Sequence, residues 1–194
     1  METAPTRPVG VIGRIDRALD ATGKIIEAVA HTQLTQATPC PEWDVRAVLN
    51  HTVAGMHRVA AALSGMGSGA EREDDWLGSD PQGAYAAAAE IDRAAWHRPD
   101  ALTAKLDSPI GVLPGAAVAV MHLSEIVVHG LDLAIAVGRA DLADDELCAQ
   151  TLHLMRSQGG IDAFRRPGLF GPEVEIADDA PAHRKLLGYT GRDC

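Results

Sequence analysis

The sequence predicts an all-α protein built as a helical bundle, and three observations support this prediction. Apolar residues recur at intervals of three and four over several long segments, the spacing that gives a helix one apolar face. Hydrophobic residues make up 46% of the chain but aromatic residues only 4%, and a core of small aliphatic side chains suits closely spaced helices. The chain also lacks the alternating strands and helices of a parallel α/β fold. Its 194 residues are enough for one domain spanning residues 1–194.

The first two helices follow from apolar spacing and from a capping residue. Apolar side chains at intervals of three and four predict a first helix over about residues 9–31. A second helix begins at Asp44, a favourable N-cap, and Trp43 before it and Val48 within it have the spacing of a hydrophobic staple. Residues 64–79 are rich in Gly and charge and are predicted to form a loop.

The middle of the chain contains a third helix and a hairpin. Asp80 supplies an N-cap and Pro81 occupies the first helical position, so a helix is predicted from there to about Trp96. Short apolar pieces between residues 103 and 113 flank Ser108-Pro109 and Gly111, a pattern that predicts a small β-hairpin.

Two more helices and an irregular tail complete the prediction. The fourth helix starts at Pro114 and ends at Gly138, which suits a helix C-terminus. Asp144-Asp145-Glu146 gives an acidic first turn to a fifth helix that runs to about residue 157. The tail from Gly159 is predicted to be irregular, with a strand over residues 173–176 and a short helix over residues 181–187.

The most informative segment lies in the fourth helix, where three metal-binding side chains interrupt an apolar run. From Ala116 to Val137 nearly every side chain is aliphatic, which predicts a helix surrounded by protein on most sides. His122, Glu125 and His129 fall within an arc of about 60°, at roughly 100° per residue. A buried carboxylate without a partner is costly, and a Glu between two imidazoles favours a divalent cation as that partner.

The spacing along this helix leaves two pairs of ligands open. Glu125 and His129 are one turn apart, about 6 Å along the axis. His122 and His129 are about 10.5 Å apart, which is long for one small ion. The fourth helix therefore offers either Glu125 with His129 or His122 with Glu125.

A third ligand must come from another helix, and His51 is the best placed. It lies at the border of the apolar stripe of the second helix, whereas His57 is about 120° further around. Our geometric choice is therefore His51, Glu125 and His129, a set that suits Zn²⁺, with Ni²⁺ or Fe²⁺ as alternatives. The other histidines lie near helix ends or in the tail and have no companion ligands: His31, His97, His153 and His183.

Each of these residues also has a purely structural interpretation. A single buried histidine such as His122 is usually just hydrogen-bonded, and Glu125 has the alternative of a buried pair with an Arg or His. Asp132 is expected either to orient a ligand histidine or to bond to a helix N-terminus. Trp43 is interpreted as a staple only, and Cys40 as a packed thiol in a loop that also leads towards the site.

Charge, cysteines and the N-terminus limit the other classes of function. The net charge of −10 argues against partners that are nucleic acids or anionic membranes. Four ionisable residues inside the longest apolar stretch argue against a membrane span. Three widely spaced cysteines without a C-x-x-C pair predict neither a disulfide framework nor a thiolate zinc site. The N-terminal segment lacks the apolar region of a signal peptide, so we expect a cytoplasmic protein.

Several motifs occur in order along the chain: Thr38–Val45 with Leu49–His51, then His122–Ala134, and in the tail Phe170–Val174 and Leu187–Asp193. These motifs resemble those of the DinB-like metal-binding superfamily. More narrowly, they resemble the branch related to mycothiol-dependent maleylpyruvate isomerase, including its short single-domain members of unassigned function. Leu131 stands where that branch usually has Trp.

The resemblance implies a fold, a metal site and a cosubstrate. It implies a four-helix bundle holding a divalent metal, often zinc or nickel, with one His from the second helix and two ligands from the fourth. Carried over, those ligands are again His51, Glu125 and His129. Related enzymes use a low-molecular-weight thiol such as mycothiol as cosubstrate, and dimerisation rests on the resemblance alone.

Two functional hypotheses follow. In the first, the protein is a thiol-dependent transferase or isomerase in which the metal binds the thiol and lowers its pKa, so that the thiolate attacks a small electrophile. A hydrolase using metal-bound hydroxide is a variant. In the second, the protein binds a metal or small molecule without turnover.

Overall fold

The computed structural model describes residues 10–41, 43–66, 74–108, 111–166 and 169–193. Within these ranges the chain forms six α-helices and one two-stranded antiparallel hairpin, as predicted. The elements are α1 (Val11–Glu27), α2 (Val45–Leu63), α3 (Pro81–Trp96), β1 (Lys105–Ser108), β2 (Gly111–Pro114), α4 (Gly115–Ala136), α5 (Asp145–Ser157) and α6 (Ala182–Tyr189). Two features named from the sequence lie outside the described residues, namely the middle of the loop 64–79 and Pro109, and so does the last of the three cysteines, Cys194.

The first four helices form the bundle, and the last two lie beside it. Helix α1 packs against α4 and α3, and α2 packs against α3 and α4. Helices α5 and α6 pack on each other and on α4, so α4 contacts α1, α2, α5 and α6. One apolar cluster, built mainly from aliphatic side chains of the helices, fills the space between them.

Aspartate caps begin α2, α3 and α5, and the sequence predicts the first two of these caps. The side chains of Asp44, Asp80 and Asp144 each accept a hydrogen bond from the backbone N–H three residues further on, at 2.8, 2.9 and 3.1 Å. These bonds satisfy N–H groups that have no partner within the first turn. The cap at Asp44 fixes the start of α2, and therefore the position of the residues one and two turns into that helix.

Two sequence predictions of boundaries and elements are wrong. Helix α1 ends at Glu27 rather than near residue 31, because the chain turns into a 3₁₀ segment over His31–Gln33, where the Gln33 side chain accepts the Ala30 N–H at 3.0 Å. Residues 173–176 form no strand. The segment lacks a partner strand among the described residues, and Val174 donates instead to the carbonyl of Gly188 in α6, at 2.9 Å.

Helix α4 is the buried centre of the fold. By length and composition it could cross a membrane, with a mean hydropathy of 1.6, but 78% of that apolar window is buried inside the protein. It approaches α1 closely at Gly130, where an added Cβ would lie 2.5 Å from the hydroxyl of Thr22. Most side chains of α4 therefore face protein, as predicted.

Candidate metal centre

The centre lies between α2 and α4, where three predicted side chains meet. On α4, Glu125 and His129 are one turn apart. Glu125 Oε2 lies 3.2 Å from His51 Nε2 on α2 and 3.3 Å from His129 Nε2. One ligand atom from each residue lies within 4.8 Å of the others. The structure thus brings together His51, Glu125 and His129, and their assignment as metal ligands stays a prediction.

The carboxylate of this group is more open than the sequence suggested. The sequence analysis treated Glu125 as a buried acid, but 51% of its side chain is exposed, against 19% for His51 and 9% for His129. The reason is its position on the one face of α4 that also exposes Met121, a turn earlier. The group therefore reaches the protein surface at Glu125, between α2 and α4, within reach of a dissolved molecule.

A second layer of residues orients His129. Its Nδ1 lies 3.1 Å from Asp132 Oδ2, and Asp132 is fully buried. Because a carboxylate only accepts, Nδ1 carries the proton, and Nε2 is the nitrogen that faces Glu125. Asp132 in turn receives two bonds from the guanidinium of Arg192, at 3.2 and 3.1 Å. Of its two expected roles, Asp132 thus has the one that orients a histidine.

The local charges shift the pKa values of all three residues. Burial lowers the pKa of His51. Burial has the same tendency at His129, but hydrogen bonds to Asp132 and Glu125 outweigh it and raise the pKa of His129 to about 9. For Glu125 the loss of water opposes ionisation, yet bonds from His129 and His51 hold its pKa well below the usual range. At neutral pH the metal-free group therefore contains one imidazolium and one carboxylate.

The loop before α2 contributes more to this group than the sequence predicted. The ring of Trp43 lies 4.7 Å from that of His51 and 5.7 Å from that of His129, so Trp43 is an aromatic wall for both imidazoles and not only a staple. Cys40, in the same loop, has a ligand atom within 4.8 Å of those of His129 and Asp132. Burial raises the pKa of the Cys40 thiol to about 11.

The alternative ligand pair is not formed. His122 Nε2 lies 2.8 Å from Asp92 Oδ2 on α3, with 5% and 0% of the side chains exposed. His122 is therefore a hydrogen-bonded core histidine, one of the two interpretations given above. Of the two pairs left open on α4, Glu125 with His129 is the one whose donor atoms converge with His51, and its role as a metal-binding pair stays a prediction. On α2, His57 stacks on Trp76 at 4.8 Å, away from the group.

Two histidines that were expected to have no companion ligands do have one. His97 Nε2 lies 2.9 Å from Asp16, and His183 Nδ1 lies 2.8 Å from Asp145. That part of the prediction is wrong, because their partners come from distant elements. Within the described ranges, however, neither pair belongs to a group of three convergent donors.

Comparison with known families shows which protein family this chain belongs to. Residues 15–134, which include all three convergent side chains, match the model of the mycothiol maleylpyruvate isomerase N-terminal domain. The chain belongs to this family. The predicted membership of a DinB-like branch is thereby confirmed.

Individual relatives and solved structures agree with this assignment. An uncharacterized protein, found in two strains of Mycobacterium tuberculosis, is 28% identical over 177 residues, covering 91% of this chain and 94% of the relative. The crystal structure of a mycothiol-dependent maleylpyruvate isomerase superposes with a TM-score of 0.53 at 18% identity, covering 78% of this chain and 73% of that one. A histidine-to-alanine mutant of that enzyme gives 0.52 at 16%. At these identities the structures establish the shared fold.

Proposed function

We propose that the protein binds a divalent metal ion, zinc in the first place, through His51, Glu125 and His129. The observation that carries this proposal is the meeting of two imidazole Nε2 atoms at one carboxylate oxygen, at 3.2 and 3.3 Å. Two imidazoles and one carboxylate form a ligand set of catalytic zinc sites, which keep a further position open. Nickel and ferrous iron accept the same donors.

The residues around the three ligands also fit an ion. Asp132 bonds to Nδ1 of His129 at 3.1 Å, the carboxylate–histidine arrangement that commonly supports a metal ligand. The proton that His129 carries on Nε2 in the metal-free protein would be released when the ion binds. The half-exposed side of Glu125 leaves access for a further ligand from solution.

We further propose that this further ligand is a low-molecular-weight thiol of the mycothiol type, used in a transferase or isomerase reaction. A bound metal would supply the positive charge that lowers the pKa of the thiol and favours its thiolate. In transfer, the sulfur bonds to an electrophilic carbon of a small substrate, and the thiol proton goes to the leaving group or to the neighbouring carbon. In isomerisation the same addition is reversed after rotation, which regenerates the thiol.

The side chains of this chain have definite parts in such a reaction. Trp43 covers both imidazoles on one side and restricts the approach of water there. The open side, along Met121 and Glu125 on α4, is where a substrate would enter. Support for the thiol comes from the family, whose name specifies mycothiol, and from the relative of known structure, which is described as mycothiol-dependent.

A specific observation supports a second candidate, a binding protein without turnover. The hydrogen bonds that link His51, Glu125, His129, Asp132 and Arg192 form a continuous chain. Such a network satisfies its polar groups without any chemistry, as expected of a site that sequesters a metal or a small molecule. Incubation with mycothiol and a panel of electrophiles separates the two candidates. Thiol adducts or isomerised products support an enzyme, and their absence across the panel supports the binding protein.

The metal itself is tested by elemental analysis and thermal denaturation with and without a chelator. We expect close to one equivalent of metal and a lower melting temperature after chelation. The matched variants are His51→Ala and His57→Ala, which remove imidazoles from the same helix on different faces. Only the first should weaken Zn²⁺ binding. Less than about a tenth of an equivalent of metal, with a melting temperature insensitive to the chelator, would refute the proposal.

A further inference from the structure

The end of the chain places an arginine beside the candidate metal centre. Arg192, three residues after α6, bonds through Nε to Oδ1 and through Nη2 to Oδ2 of Asp132, 60 residues earlier in the chain. Its remaining terminal nitrogen, Nη1, donates to the carbonyl of Thr190 at 3.1 Å. Only 5% of Arg192 is exposed, and none of Asp132. The planar guanidinium therefore holds both oxygens of a carboxylate in the interior, the two-pronged geometry that Arg forms best.

The backbone before Arg192 has a tightly constrained conformation that directs this side chain into the interior. Gly191 has a φ of +86°, and a Cβ there would lie 2.5 Å from the Cα of Gly171, so a residue with a side chain is excluded by both conformation and space. The fully buried Thr190 donates to the carbonyls of Leu186 and Leu187 at the end of α6. The turn at residues 190–191 is therefore held by its contact with Gly171 and by its hydrogen bonds to the end of α6, and the Arg192 side chain points from this turn into the interior.

The contact with Asp132 affects His129 through a single shared carboxylate. Oδ2 of Asp132 takes part in both interactions, with Nη2 of Arg192 and with Nδ1 of His129, each at 3.1 Å. Two bonds from one rigid guanidinium fix the plane of the carboxylate. The plane of the carboxylate in turn fixes the direction of the Nδ1–H bond and the ring. A buried carboxylate with the imidazole as its sole partner would lack this constraint.

We propose that Arg192 is a positioning residue that, through Asp132, holds the His129 ring with Nε2 directed at the metal position. This inference rests on the proposed metal function. It makes the C-terminal turn part of the centre, although the turn supplies no ligand. It also gives a reason for the burial of the Asp132–Arg192 pair beside His129.

The test compares Zn²⁺ affinity, measured by competition with a chromophoric chelator, in the full chain and three variants. Arg192→Gln removes the charge and the two-pronged bond, and Arg192→Lys keeps the charge but not the geometry. The matched control is Arg165→Gln. Arg165 holds the same tail at the carbonyls of Gly171 and Tyr189, at 2.7 and 3.0 Å, instead of at Asp132.

We expect the Kd for Zn²⁺ to rise about tenfold or more in both Arg192 variants, since supporting residues of metal ligands typically contribute 10- to 100-fold. The Arg165 variant should stay within about twofold of the parent protein. Equal affinity in Arg192→Lys and the parent, or equal losses in the Arg165 and Arg192 variants, would overturn the inference. The lysine variant keeps the test valid if the glutamine variant does not fold.

A second readout separates this inference from the proposed function. In the metal-free protein, the Nδ1 proton of His129 should give a downfield NMR signal because it is hydrogen-bonded to Asp132. Arg192→Lys should shift or broaden that signal, and Arg165→Gln should leave it in place. If the parent protein binds no Zn²⁺, the proposed function fails, while this signal still decides the role of Arg192. A signal unchanged in the lysine variant would refute the positioning role.

Discussion

Helix α4 carries two histidines seven residues apart, each beside a carboxylate, and their surroundings differ. Among the described residues, His122 is hydrogen-bonded to Asp92, and both side chains are buried in the core. His129 has Asp132 on one nitrogen and Glu125 on the other, and Glu125 is half-exposed. The first pair is enclosed by protein, although Asp92 Oδ1 has no hydrogen-bond partner among the described residues, whereas the second is joined to His51 on α2 through the half-exposed Glu125. A carboxylate–imidazole contact is therefore not sufficient for a site, which also needs convergent donors and access from solvent.

The largest expected effect is the loss of stability when the buried pair of His122 and Asp92, here called the sealed pair, is broken. In His122→Leu the carboxylate of Asp92 would remain buried without its partner, and removing one member of a buried pair costs about 3–5 kcal/mol. We expect that loss in the free energy of unfolding, measured with urea on the metal-free protein. The Kd for Zn²⁺ should not change. If His122→Leu lowered the free energy of unfolding by less than about 1 kcal/mol, the His122 pair would contribute less to stability than its burial implies.

The next effect is the stabilisation of the protein by Zn²⁺ bound at His51, Glu125 and His129, and it appears only when the metal is present. A ligand at 100 times its Kd stabilises the folded state by about 2.7 kcal/mol, so excess Zn²⁺ should raise the free energy of unfolding by that amount. His129→Ala should abolish this increment. His122→Leu, although destabilised, should keep it in full. If both variants lost the stabilisation by Zn²⁺, His122 and His129 would both contribute to metal binding, which would contradict the distinction between a structural and a functional histidine.

The two regions were not equally visible in the sequence. Helical spacing and the cap at Asp44 are local, so they predicted the helices and the face of α2 on which His51 lies. The partners of the histidines were less accessible. Asp92 lies on another helix, 30 residues before His122, and no local pattern couples them. Spacing on α4 alone therefore left both ligand pairs open until the contact between Asp92 on α3 and His122 on α4 was known.

The contacts missed altogether come from loops and from the tail. Trp43 has the spacing of a staple, and nothing in that pattern indicates that its ring also covers two imidazoles. Arg192 lies in the tail motif Leu187–Asp193, which contributed to the family resemblance, but the sequence assigned no role to this arginine. The predicted strand over residues 173–176 illustrates the same limit, because strand pairing depends on a distant partner whereas caps and helical periods depend on neighbours.

The dependence on pH should distinguish the two histidines as well. The pKa of His129 is raised from 6.5 to about 9 in the folded, metal-free protein. A raised pKa contributes stability that is fully present below pH 6.5 and is lost as the pH rises through about 9. We expect the free energy of unfolding to decline by about 3 kcal/mol over this window, since each pKa unit corresponds to about 1.4 kcal/mol. Urea denaturation at several pH values measures it, and His129→Gln should remove it.

Zn²⁺ affinity should change in the opposite direction over the same window, because the ion must displace the Nε2 proton of His129. Binding should therefore become tighter as the pH rises from about 6.5 to about 9. A Kd for Zn²⁺ that stays constant across this range would argue against His129 as a ligand. The sealed pair is the control, since His122→Leu should retain this pH dependence.

The smallest effect on stability belongs to Glu125, the carboxylate on which the site depends. Its side chain is 51% exposed, and ion pairs open to solvent contribute about 0–1 kcal/mol, despite its strongly lowered pKa. Glu125→Gln should therefore change the unfolding free energy of the metal-free protein by less than about 1 kcal/mol.

The same substitution should weaken Zn²⁺ binding strongly, because an amide oxygen carries no charge for the ion. A residue that matters little for the fold and greatly for the ion is retained for function, whereas Asp92 shows the reverse balance. If Glu125→Gln instead destabilised the protein as much as the loss of the His122 pair and left the Kd for Zn²⁺ unchanged, both carboxylates would be structural, and α4 would carry two core pairs and no site.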